Sequence, residues 1–137
     1  MIFLSSDGRI CKVKKIYRYV IDWDAESKSK FQFSVKQYLK RYWKNDIVFE
    51  EFPIPKTRLS IDFYNCSKKI AVEVQGNQHR EYVPYFHGDQ HRVKFLQQLK
   101  RDDDKMKFCE NNDIILVEIY PEDKLTKKLF KSFGVNL

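Results

Sequence analysis

Two acids stand where a core strand has little use for them. Asp62 lies in Arg58-Leu59-Ser60-Ile61-Asp62-Phe63-Tyr64, and Glu73, eleven positions on, lies in Ala71-Val72-Glu73-Val74-Gln75-Gly76. Both segments alternate apolar and polar residues, and the polar stretch Asn65-Cys66-Ser67-Lys68-Lys69 between them reads as a turn joining neighbouring strands. Period two puts each acid on the face opposite its apolar partners, so antiparallel neighbours would carry both acids on one face. Acids in that position either solubilise a solvent-facing sheet or hold something positive, and a divalent metal is the positive group that chemistry supplies most readily. Mg²⁺ takes oxygen ligands and keeps several waters, so two or three carboxylates and a backbone carbonyl suffice. The carbonyl of Val74 lies beside Glu73 and serves as a further candidate ligand. Glu50 or Glu51 on the preceding segment can add a carboxylate; alternation sends them to opposite faces, so only one can serve, and Glu51 is preferred. A metal held there would supply an activated water and a counter-charge, which is what phosphodiester hydrolysis requires.

The elements that must position these acids can be read around them. Ile2-Phe3-Leu4 and Ile10-Cys11-Val13 flank Asp7-Gly8, a favoured tight-turn pair, which predicts a hairpin over residues 1–15. A helix is predicted from about Ser27 to Trp43, with Phe31, Val35, Tyr38, Leu39 and Tyr42 as its apolar stripe and its lysines and Arg41 mostly off it. Three strands follow: Ile47 to Phe52, ended by Pro53 and Pro55, then the Asp62 and Glu73 segments. Residues 77–88 read as an aromatic, histidine-bearing loop, in which Tyr82, Tyr85, Phe86 and His87 either contact a substrate or form a local cluster. A long helix is predicted from Asp89, its N-cap, to about Asn111, with Phe95, Leu96, Leu99, Met106 and Cys109 as its stripe. Ile114-Ile115-Leu116-Val117 reads as a buried strand, and a last helix starts at Pro121 and ends at Gly134. The order hairpin, α, β, β, β, α, β, α predicts an α/β fold: a mixed central sheet flanked by helices.

Composition bounds what such a fold can be used for. The 137 residues suit one domain with one core, and 42% hydrophobic content suffices to fill it. A net charge of +7 gives a long-range attraction for polyanions, of which nucleic acid is the commonest. Cys11, Cys66 and Cys109 are odd in number and widely spaced, which excludes a disulfide framework or Cys-x-x-Cys zinc site and fits a reducing cytoplasm. No apolar run approaches the roughly 20 residues of a membrane span, and nothing near Met1 resembles a signal peptide.

The αβββαβ order with Asp62 and Glu73-x-Gln75 resembles the PD-(D/E)XK nuclease superfamily over about residues 27–119, inside a single domain of residues 1–137. Ile61 stands where the family name has proline, and Gln75 where it has the lysine that orients or helps deprotonate the water. Some members of the superfamily carry glutamine or another residue there. A narrower set is Arg58 to Tyr64, then Ile70-Ala71-Val72-Glu73-Val74-Gln75-Gly76-Asn77-Gln78-His79, then Arg101-Asp102 with Lys105, then Asn112-Asp113-Ile114. It is similar to the very-short-patch-repair-like branch, which includes small phage-encoded nucleases and the EDxHD homing endonucleases.

The resemblance implies a glutamate (Glu50 or Glu51), Asp62 and Glu73 as metal ligands, His79 as base or leaving-group acid, and Asp102 orienting His79 or a metal-bound water. Lys105, three residues on along the same helix face, is placed to substitute for the absent motif lysine, and Gln75 to hydrogen-bond a metal water. Arg58 and Arg101 are candidate phosphate ligands, as are Lys12, Lys14, Lys15, Lys36, Lys40 and Arg41 on the N-terminal hairpin and helix. The expected activity is Mg²⁺-dependent DNA endonuclease, with Mn²⁺ able to substitute, no small-molecule cofactor and no membrane partner. One site cuts one strand, so double-strand cleavage would need a homodimer or two successive nicks. Two other readings stand beside it: a DNA-binding subunit on a nuclease scaffold without turnover, and a nuclease specific for junctions, flaps or mismatches.

Overall fold

A computed structural model describes residues 1–76 and 89–137, with side chains from residue 92 in the second stretch. Strands β1 (Ile2–Leu4) and β2 (Ile10–Lys12) pair antiparallel. Their turn needs a residue with positive φ, which Gly8 supplies at 84°. A short 3-10 turn, Ile16–Tyr19, follows; no sequence signal announces it.

Helix α1 spans Lys30–Trp43, later than the expected start at Ser27. Ser29 is the N-cap, its hydroxyl accepting from the Gln32 N–H at 3.0 Å, whereas the Ser27 hydroxyl donates to Glu50 at 2.7 Å. Val35, Leu39 and Trp43 form the buried face of α1 as the apolar spacing requires, with Gln32 and Lys36 buried among them.

Strands β3 (Val48–Pro53), β4 (Ser60–Asn65) and β5 (Ile70–Val74) form an antiparallel meander. Pro53 is the last residue of β3 rather than a residue beyond it; β3 is an edge strand, where a missing N–H can be tolerated. Helix α2 (Asp89–Asn111) then returns the chain to β6 (Ile115–Ile119), which lies parallel to β5. The sheet order is β3-β4-β5-β6, so the fold is mixed α/β with a four-stranded mixed sheet. β6 is the other edge and Ile115 is 39% exposed, so the strand expected to be buried is only half so.

One sheet face packs Phe63, Val72, Val117 and Ile119 against α1 and against Phe130 of helix α3 (Lys127–Ser132). The other packs Phe49, Tyr64 and Ala71 against Phe108 and Cys109 of α2 and against Phe3 of the hairpin. The stripe expected along α2 is therefore only partly right. Leu96, Leu99 and Met106 are 54%, 44% and 47% exposed, and Phe108, absent from that stripe, is wholly buried. At about 35 Å the helix outruns strands that span under ~20 Å, so only its C-terminal end reaches this core.

α3 also departs from expectation. Pro121 opens a turn closed by the Asp123 N–H on the Tyr120 carbonyl, and the helix begins six residues later behind the Thr126 cap. Gly134, at φ 87°, does end it: its N–H reaches the Lys131 carbonyl and the Val135 N–H the Phe130 carbonyl.

Candidate active site

The β4–β5 ladder runs from Asn65↔Ile70 to Phe63↔Val72 and stops where Asp62 would face Glu73. There the side chains take over from the ladder. The Asp62 N–H donates to Glu73 Oε1 at 3.0 Å, and the Val74 N–H donates to Asp62 Oδ2 at 2.8 Å. Each carboxylate is thus held by the opposite strand, and both are buried, at 6% and 4% exposure. From α2, Lys105 reaches Glu73 Oε2 at 2.6 Å.

Burial is costly for two adjacent anions. It pushes the Glu73 carboxyl up to about 7, with the Asp62 charge adding to the rise and Lys105 opposing it. Asp62 is also raised by burial and by the charge of Glu51, against the pull of the Val74 N–H.

Glu50 and Glu51 depart from the alternation expected of them. Glu51 has φ 53°, and the β3–β4 ladder pairs Glu50 with Phe63 and Phe52 with Ile61 while passing over Glu51. The positive φ redirects the chain, so both glutamates reach one side chain: Gln32 Nε2 donates to Glu50 Oε2 at 3.1 Å and to Glu51 Oε1 at 2.9 Å. Their environments then separate them. Glu50 is tied to the buried Lys36 at 2.7 Å. Glu51 accepts from the Ser60 hydroxyl at 3.1 Å, with Lys28 at 3.8 Å. Ser60 precedes Asp62 by two on β4, so Glu51 is the glutamate turned toward the acid pair.

The other expected site residues fall in several places. The Gln75 N–H continues the parallel ladder to the Ile119 carbonyl at 2.8 Å, and its side chain makes no hydrogen bond among the described residues. Asp102 sits one turn before Lys105 and accepts from Gln98 at 2.9 Å. His79 and the aromatic residues Tyr82, Tyr85, Phe86 and His87 lie outside the described residues. Arg58 and Arg101 are exposed, as are Lys12, Lys14 and Lys15. Lys40 pairs with Asp24 at 2.8 Å, and Arg41 lies over the Tyr38 ring.

Lys36 must be corrected as a phosphate ligand. It is wholly buried, with its ammonium on Glu50 and on the Ala25 carbonyl. Gln32 and Ser60 were not identified from sequence as part of the site. Gln32 shares the three-to-four spacing of Val35, Leu39 and Trp43, so a polar residue in an apolar stripe was the available signal.

Among the described residues no group of three His, Cys, Asp or Glu side chains forms a ready-made metal cage. What the site offers a hard cation is donor chemistry: oxygen ligands only, and excess negative charge. Lys36 answers Glu50, Lys28 answers Glu51 and Lys105 answers Glu73. The hydrogen bond described for the Asp62 carboxylate comes from a backbone N–H. Two adjacent carboxylates are the donor type that suits Mg²⁺, which rarely uses an all-protein cage.

No family model and no solved structure matches the chain. It is 36% identical over 61 residues to uncharacterized protein 307L of Invertebrate iridescent virus 6, covering 44% of this chain and 30% of that one. It is 31% identical over 67 residues to uncharacterized protein 033L of Invertebrate iridescent virus 3, covering 49% and 34%. It is 41% identical over 61 residues to uncharacterized protein 094L of Frog virus 3 (isolate Goorha), covering 44% and 39%. The matches thus span between 30% and 39% of the length of these relatives.

Proposed function

We propose that this chain is a Mg²⁺-dependent DNA endonuclease built on a PD-(D/E)XK-like core. One observation carries the reading: Asp62 and Glu73, buried side by side at the end of a strand pair, with Lys105 arriving from a helix on the same face. Among the described residues one lysine lies close to the two carboxylates, so once Glu73 loses its proton, near pH 7, the pair carries negative charge that a bound cation would answer. A bound metal would supply Lewis acidity and an activated water.

The protein's own groups have separate tasks. Asp62 and Glu73, with the Val74 carbonyl, present oxygen ligands. Glu51 adds negative charge beside Asp62. Lys105 balances Glu73 and is positioned to steady a water in place of the lysine that Gln75 replaces. His79 and Asp102 keep the proton-transfer and orienting roles that the resemblance gives them. Arg58 and Arg101, both exposed, are free to meet phosphates.

The test is nicking of supercoiled plasmid with Mg²⁺, Ca²⁺ or EDTA, for wild type and Asp62→Asn together. Mg²⁺-dependent nicking that falls by at least about 100-fold in Asp62→Asn supports the reading. The binding-only alternative draws on Gln75 standing where the motif lysine belongs. Duplex binding without cleavage of linear or branched DNA, in Mg²⁺ or Mn²⁺, would replace the nuclease proposal with it.

A further inference from the structure

Glu51 is in a conformation that is uncommon for a residue with a Cβ and, unlike the other positive-φ side chains of this chain, it lies inside a strand. It sits inside β3 at φ 53°, with no ladder partner. One buried side chain ties the Glu51 carboxylate to its neighbour. Gln32 is 3% exposed, and its Nε2 donates to Glu50 and to Glu51 at 3.1 and 2.9 Å. Ionised carboxylates only accept, so the nitrogen end of the amide must face them, and both of its hydrogens are used.

The two glutamates are not equivalent anchors. Glu50 is fixed independently by Lys36 and by the Ser27 hydroxyl, each at 2.7 Å. It therefore serves as the fixed post from which Gln32 reaches Glu51. Lys36 is itself held by the Ala25 carbonyl at 2.7 Å. On its far side Glu51 meets Ser60, on the strand that carries Asp62.

We propose that Gln32 is a positioning residue: it locks Glu51 in the left-handed conformation, and so keeps a further carboxylate on the Asp62 side of the site, where it adds negative charge toward a hard divalent cation. The cation half of this proposal rests on the nuclease reading; the conformational half does not.

The full chain is tested as wild type, Gln32→Leu, the more isosteric Gln32→Met, Glu51→Gln, Asp62→Asn and the double variant Gln32→Leu/Glu51→Gln. Two properties are measured. The first, without metal, is the Glu51 ¹³Cα shift and its HN–Hα coupling. These should read left-handed in wild type and move toward extended values in both Gln32 variants. The second is Mn²⁺ affinity by calorimetry, which should fall about tenfold in Gln32→Leu, the scale expected for a partner that orients a ligand. It should fall similarly in Glu51→Gln and no further in the double variant, because Gln32 acts through Glu51.

A Glu51 backbone unmoved by both Gln32 substitutions overturns the proposal, as does a double variant in which the two losses add. No Mn²⁺ binding by wild type, indistinguishable from Asp62→Asn, overturns the metal reading and the cation half together. The backbone measurement then still decides whether Gln32 holds Glu51.

Discussion

Glu73 is a carboxyl that titrates in the wrong range for a surface acid, and this gives the site a signature that needs no substrate. Its folded value is about 7, against an ordinary 4.5. Between those two pH values the folded chain holds a proton that the unfolded chain has released, so stability declines as pH rises through the window and levels off above it. The Glu73 contribution amounts to roughly 3 kcal/mol at most, and coupling to Asp62 shares it between the two acids. Thermal melts from pH 4.5 to 7.5 should show this decline in wild type and a flatter profile in Glu73→Gln. Equal slopes for the two proteins would mean that Glu73 is not held as the structure has it. Lys105→Met removes the cation opposing the rise, so the decline should extend to higher pH. Under the nuclease proposal, millimolar Mg²⁺ at pH 7.5 should raise the wild-type melting temperature and leave that of Glu73→Gln nearly unchanged. At this scale the acids were legible because a charge in an alternating apolar strand is conspicuous. The preference for Glu51 agrees with its contact to Ser60, but the expectation that Glu50 and Glu51 take opposite faces failed, because alternation assumes β dihedrals and Glu51 has a positive φ.

Element order was the most legible part of the fold, and element faces the least. The meander, the crossover helix and the returning strand follow from turn residues and apolar periods that act locally. Which side of α2 is buried depends on where a long helix meets a short sheet, which the helical period alone does not record. The structure selects Phe108 and Cys109. Phe108→Ala should therefore cost about 3–5 kcal/mol in denaturant unfolding, while Leu96→Lys should change stability by less than ~0.5 kcal/mol. Reversed magnitudes would return the core to the stripe read from sequence. The α1–β3 tie makes a parallel claim. Lys36→Met leaves Glu50, 16% exposed at its side chain, without its cation, and should destabilise by about 3–5 kcal/mol. Arg41→Gln on the same helix, exposed over Tyr38, should be nearly neutral. A helix-wide lysine pattern reads as one basic surface in sequence; packing divides it into a buried structural cation and exposed ones.

For the whole molecule, the net charge of +7 matters through its distribution. Exposed Arg58 follows β3 and exposed Arg101 lies on α2, the helix that brings Lys105 to Glu73. Lys127, Lys128 and Lys131 are exposed on α3, which packs with Phe130 against the other sheet face, and Lys127 lies over the Tyr42 ring of α1. Under the nuclease proposal, a duplex cut at Asp62 and Glu73 should load Arg58 and Arg101 rather than the α3 lysines. Binding of a 20-base-pair duplex by Asp62→Asn, measured against salt, should follow a log–log slope of about −0.9 per neutralised phosphate. Arg58→Gln and Arg101→Gln should each make that slope shallower by about one, and Lys128→Gln should leave it unchanged. The opposite pattern, sensitivity to Lys128 with indifference to Arg58 and Arg101, would put the polyanion on the α1–α3 layer. The buried acids would then face away from the bound strand, and the fold would be a binding scaffold whose carboxylates answer only to Lys105 and the ladder they complete.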